Sequence, residues 1–97
     1  MDFILFMTSG VDSLIKAGTV KNSDLTLNLT KFISNDWGVL CDEDKEFQNE
    51  LLKNPKEKYQ DRFMGVYIIN QNKIWIMSDY DYSIKKIVIT VLLPEEY

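Results

Sequence analysis

Two short stretches of this chain hold side chains from which a chemical or recognition site can be built. Asp79-Tyr80-Asp81-Tyr82 alternates two carboxylates with two phenols, and Asp42-Glu43-Asp44-Lys45-Glu46 gathers acids around a single lysine. Carboxylates grouped in this way suit cation binding, acid–base work in hydrolysis, or attraction of a basic partner. Calcium fails on spacing. An EF-hand loop needs Gly at its sixth place and Glu at its twelfth. Counted from Asp42 those places hold Phe47 and Lys53, and counted from Asp79 they hold Ile84 and Thr90. Hydrolysis is poorly supported, because two aspartates without a third ligand or a base do not position a metal-activated water. The chain has no histidine, which removes Ser-His and Cys-His nucleophile pairs, His-liganded zinc and the usual general base near neutral pH. Recognition is what remains: acids steer a basic partner and tyrosines anchor it. Each stretch also has a plainer account. Asp42, Glu43 and Asp44 suit the start of a helix, where the backbone dipole favours negative charge, and the Asp/Tyr stretch suits a simple turn.

Other single residues divide the same way. Asp36-Trp37-Gly38 either presents an aromatic anchor or makes a turn in which Asp36 caps, Trp37 packs inward and Gly38 takes positive φ. Glu95-Glu96-Tyr97 either docks in a basic groove or folds back so that the Tyr97 ring covers the sheet edge. Cys41 is the sole cysteine; with no base near it in sequence, it is expected as a small buried hydrophobe. Asn28-Leu29-Thr30 fits a glycosylation acceptor, a motif that carries meaning only in a secreted chain.

These residues need elements to hold them. Phe3 to Met7 reads as a short strand or a buried segment. Ser9 is placed to cap a helix from Val11 to Ala17, with Gly18 at a left-handed C-cap. Leu25, Leu29, Phe32 and Ile33 recur at helical spacing behind Lys21-Asn22-Ser23-Asp24, with Leu27 off the stripe, although Thr26 and Thr30 lower the propensity. A third helix starts at Asp42, with Phe47, Leu51 and Leu52 as its inner edge and Asn54-Pro55 as its stop. Lys56 to Gln60 forms a charged connection. The rest is strand: Phe63 to Ile69, Lys73 to Met77 and Ile84 to Leu93 are rich in Ile, Val, Tyr and Trp. Asn70-Gln71-Asn72 forms a hairpin loop and Ser78 to Ser83 a longer connection. Both faces of the last strand are largely apolar, which marks it as central, covered on its second side, or part of an interface. The predicted fold is therefore α+β, with about three helices packed on a three- to four-stranded antiparallel sheet that ends in a β-meander.

Composition bounds the function. Ninety-seven residues suit one domain, 1–97, that removes about two-thirds of its unfolded surface from water. Its 45% hydrophobic and 27% charged residues are ordinary for a folded chain, and a net charge of −4 disfavours a phosphate backbone as partner. The apolar start is short and opens with Asp2 where a secretory leader carries a base. The run from Ile87 to Leu93 is far below membrane-spanning length. A cytoplasmic protein with no cofactor, no metal and no membrane contact is the expectation.

Three stretches carry a resemblance: Asp36-Trp37-Gly38-x-Leu40 followed by Glu43-Asp44, then Lys73-Ile74-Trp75-Ile76, then Leu92-Leu93-Pro94-Glu95-Glu96-Tyr97. In this order they resemble a family of short bacterial proteins carried on plasmids and phages and described as plasmid-related. Thr8-x-Gly10, Arg62 and Tyr67 fit the same pattern. Phe32 stands where the family often has His, Asp81-Tyr82 where it has Asp-Arg, and Gln48 where it has Asn, with Asn49 one place late. The segment from Ser83 to Val91 is about four residues longer than usual. A copy without the His and one Arg looks like a scaffold redirected to a new partner. The resemblance implies a non-enzymatic mobile-element protein that inhibits host defence, in the manner of an anti-CRISPR protein acting on an RNA-guided nuclease of the type VI class. The predicted partner surface is Asp79, Tyr80, Asp81 and Tyr82 with Asp42, Glu43, Asp44 and Glu46, facing a basic surface of a CRISPR effector, without direct nucleic-acid binding. The alternative is a structural or accessory plasmid protein, with a homodimer possible through the two-faced C-terminal strand.

Overall fold

Alternation in the strands and apolar spacing in the helices put large aliphatic and aromatic side chains on the inner side of one sheet. The computed structural model describes residues 3–53 and 62–97. In chain order the elements are β1 (Phe3–Met7), α1 (Ser9–Lys16), α2 (Asn22–Ile33), α3 (Asp42–Leu51), β2 (Phe63–Ile69), β3 (Asn72–Asp81) and β4 (Lys86–Leu92), closed by a 3-10 turn at Pro94–Glu96. The expected α+β architecture holds. The four strands lie in the order β1-β4-β3-β2, antiparallel except for the parallel pair of β1 with β4. β4 is central, one of the places its two apolar faces allow, and β1 and β3 occupy both of its edges. The predicted charged connection 56–60 and the stop at 54–55 lie outside the described residues.

The core sits between the sheet and the first two helices. Phe63, Ile74, Ile76 and Ile89 are almost wholly buried and pack with Val11, Val20, Phe32 and Trp37 in one cluster. α2 forms despite Thr26 and Thr30, whose hydroxyls donate back to the carbonyls of Asn22 and Thr26 at 3.0 and 2.8 Å. The Asp24 carboxylate accepts the Lys21 N–H at 3.2 Å and so occupies a free donor at the helix start. Asn70 and Gln71, both with positive φ (49° and 67°), form the two-residue loop between β2 and β3, the backbone that a type I′ hairpin requires.

Several expectations are corrected. Ser9 is the first helical residue, and Thr8 stands at the N-cap. The Thr8 hydroxyl donates to the Glu96 carboxylate, which also accepts the N–H groups of Gly10 and Leu93 at 3.0 Å each. A Cβ on Gly10 would come within 2.7 Å of that carboxylate, so glycine here permits the close approach. The chain end does fold back, but the Tyr97 ring meets Trp75 edge-on at 5.6 Å, on a face of the sheet and not at its edge. Ser78 to Asp81 is not a connection: β3 runs on to Asp81, paired with Lys86, and the turn is 82–85. Cys41 is exposed at the N-cap of α3, where its thiol donates to Asp44 at 3.1 Å. Among the described residues no helix is long and apolar enough to cross a membrane.

Candidate protein-binding surface

The outer edge of β2 explains the neighbouring surface, because an edge strand leaves backbone groups unpaired. Here two devices cover it at Val66 and Met64. The segment after α2 docks as a short parallel bridge: Val66 N–H donates to the Trp37 carbonyl at 3.0 Å, and Val39 N–H donates to the Val66 carbonyl at 2.7 Å. The Gln48 side-chain amide then acts as a strand residue would, donating to the Met64 carbonyl at 2.9 Å and accepting the Met64 N–H at 2.7 Å. Gln48 is therefore the inward residue of α3, only 6% exposed, while Phe47 is turned outward at 66% exposure. The expectation that Phe47 lines the inner edge is overturned. A buried amide that satisfies two backbone groups takes the place that hydrophobicity alone assigns to the phenyl ring.

Asp36-Trp37-Gly38 takes its structural role in the same docking. Gly38 N–H donates to Asp36 Oδ1 at 3.0 Å, and Gly38 has φ +70°. Trp37 is buried, stacked on Phe63 at 5.5 Å and edge-on to Phe32 at 5.6 Å, and its indole N–H donates to Asn49 at 3.1 Å. The Tyr67 hydroxyl donates to the Asp36 carbonyl at 2.7 Å.

Around Phe47 the first turns of α3 set Asp42, Glu43, Asp44 and Glu46, all exposed. Glu43, Glu46 and Glu50 line a shallow groove with Phe47. On its other side Phe47 borders a depression of about 140 Å³ shared with Leu40, Asp44, Gln48, Arg62 and Met64. Arg62 connects this depression to β3. Its guanidinium donates to Asp79 through Nε at 2.7 Å and Nη2 at 3.4 Å, and to the Tyr97 hydroxyl at 3.4 Å. The Asp79 contact is the main cause that raises the Arg62 pKa. No protein-family model, curated protein or solved structure matches this chain. What the surface can do must be read from its own geometry.

That geometry divides the predicted site. Asp42, Glu43, Asp44 and Glu46 fall together, and Asp79 joins their neighbourhood through Arg62. Strand alternation separates the rest. Asp79 and Asp81 project from one face of β3 and Tyr80 from the other, in register with Ile87. Asp81 caps its own turn, accepting the Ser83 N–H and hydroxyl at 2.9 and 2.6 Å; the hydroxyl bond is the main cause that lowers its pKa. The Tyr80 and Tyr82 rings meet edge-on at 4.7 Å, with Tyr82 71% exposed. The four residues therefore do not form one patch. Sequence reasoning missed Phe47 and Arg62 as surface residues. The apolar character of Phe47 pointed inward, and Arg62 carries no local mark of its partner Asp79.

Proposed function

We propose that this chain is a non-enzymatic, cytoplasmic inhibitor that binds a basic surface of a host defence protein through the acid-framed face of α3. One observation carries the reading: Phe47 is two-thirds exposed at the centre of a helix face whose other exposed residues are mainly acidic. A large aromatic side chain left in water is an anchor for an interface, and desolvated aromatics dominate interface energetics. The surrounding carboxylates speed encounter with a positive patch and repel partners of like charge. A nucleic-acid-binding channel combines that charge with an accessible groove. The resemblance of Asp36-Trp37-Gly38, Lys73-Ile74-Trp75-Ile76 and the closing Leu-Leu-Pro-Glu-Glu-Tyr to plasmid- and phage-borne proteins supports a mobile-element setting. An RNA-guided nuclease of the type VI class is the first partner to test.

The test titrates the purified chain against such an effector loaded with guide RNA and follows target-RNA cleavage. Inhibition at near one-to-one stoichiometry is expected. Phe47→Ala should weaken it by about 30-fold, the loss typical of a hot-spot aromatic. Absence of binding by the wild-type chain overturns the type VI assignment. Binding that survives both Phe47→Ala and reversal of Glu43 and Glu46 to lysine overturns the surface.

A further inference from the structure

The sheet has two edges, and they differ in kind. The β2 edge is occupied at Val66 by the Gly38 bridge and at Met64 by Gln48. At the other end, among the described residues, β1 pairs with β4 alone. Thr8 N–H donates to the Val91 carbonyl at 3.1 Å. Alternation along the strand then points the backbone groups of Phe6 and Ile4 toward β4, and those of Phe3, Leu5 and Met7 toward the open edge. Phe3-Ile4-Leu5-Phe6-Met7 has no proline, lysine or other charge, so it lacks the side-chain devices that normally blunt an edge. Leu5, Phe6 and Met7 are 44%, 56% and 45% exposed. Beside the strand lies a mainly apolar groove of about 230 Å³ between β1 and α2, lined by Leu5, Met7, Leu25, Leu29 and Val91 together with Asn22 and Thr26.

We propose that β1 is a self-association edge, at which two copies pair antiparallel about a two-fold axis through Leu5 and join their sheets into one continuous sheet. The register follows from the strand itself. Centring on Leu5 sets every residue from Phe3 to Met7 opposite a residue of the second strand, and it sets outward-pointing backbone groups against outward-pointing backbone groups. Leu5 then faces its own copy in a hydrogen-bonded pair. The axis keeps each face of the sheet on the same side, so Leu5 and Met7 of the two copies meet beside the grooves under the two α2 helices. The charge distribution favours this occupant over a charged partner. Neither the strand nor the groove lining carries an ionisable side chain, so two chains of net charge −4 meet here without a like-charge pair. This contact stands apart from the α3 surface, which borders β2 at the opposite end of the sheet.

The experiment is sedimentation equilibrium of the whole chain from about 1 μM to about 1 mM, a range that spans weak and moderate dimers. The mass is expected to rise from 11.4 kDa toward twice that value. Leu5→Lys should hold it at one chain with an unchanged circular dichroism spectrum. Should that variant unfold, Leu5→Cys in a Cys41→Ser background gives a second readout. In the proposed register the two cysteines lie about 5.5 Å apart between Cα atoms, within disulfide reach. Oxidation should yield a covalent dimer, while Leu27→Cys on the exposed side of α2 stays monomeric. A wild-type mass that remains at one chain throughout overturns the proposal, as does cross-linking of Leu27→Cys as readily as Leu5→Cys.

Discussion

Glu96 shows how much one exposed carboxylate can organise. It joins the closing turn to the start of α1 through Thr8, Gly10 and Leu93. Its pKa is lowered from 4.5, first by the Thr8 hydroxyl and then by the backbone N–H of Leu93. A depressed folded pKa stabilises the fold fully above the unfolded value, and that stabilisation is lost as pH falls through the folded value. Thermal unfolding should therefore show wild-type stability dropping from about pH 5 downward. Glu96→Gln should be less stable at neutral pH and flatter through the same window. Equal slopes for the two proteins would remove Glu96 from this role. Gly38 is the stricter residue. At φ +70° an added Cβ would lie 2.0 Å from the Val66 carbonyl oxygen, which is backbone and cannot swing aside. Gly38→Ala should cost about 3 kcal/mol or more in urea unfolding, and a loss under about 1 kcal/mol would show that the docked segment shifts without penalty.

At the scale of elements, α3 is defined by what the edge of β2 lacks. Gln48→Leu keeps an inward side chain of similar size but leaves the Met64 N–H and carbonyl without their partner. The expected loss is about 2–4 kcal/mol, following the penalty for unsatisfied buried groups, together with faster hydrogen exchange at the Met64 amide. Unchanged exchange would mean that water or a neighbouring group takes over both bonds. The Asp79–Asp81 stretch teaches the complementary point. Polar residues and tyrosines read as a connection, yet the β4 partners Val88, Ile87 and Lys86 extend the ladder across them. Asp79→Ala frees Arg62 from a half-exposed ion pair and should cost at most about 1 kcal/mol. It tests binding with little effect on the fold.

For the whole molecule, the two candidate surfaces lie at opposite ends of one sheet. A β1-paired dimer would carry two acidic α3 faces far apart and engage two partner molecules. Partner association through α3 should slow as salt rises, because exposed charges are screened within about 8 Å at physiological ionic strength, whereas β1 pairing, being uncharged, should respond little. Composition, the absence of histidine, the three helical stretches and the apolar strands were legible in sequence, because periodicity and turn chemistry are local: Asn70-Gln71-Asn72 announced its hairpin, one residue longer than the loop that forms, and the two apolar faces of β4 allowed its central place. The parallel pairing of β1 with β4 was not legible, since it joins residues more than eighty positions apart that carry no local mark of each other. Nor was the outward turn of Phe47. Within α3 the phenyl ring is the better core residue; only the unpaired edge of β2, supplied by a later segment, makes the Gln48 amide worth more inside. The sequence alone determined most of the helices and strands and excluded histidine-dependent chemistry, and the tertiary structure decided which side chains remain at the surface, because burial is settled by the partners that other elements bring.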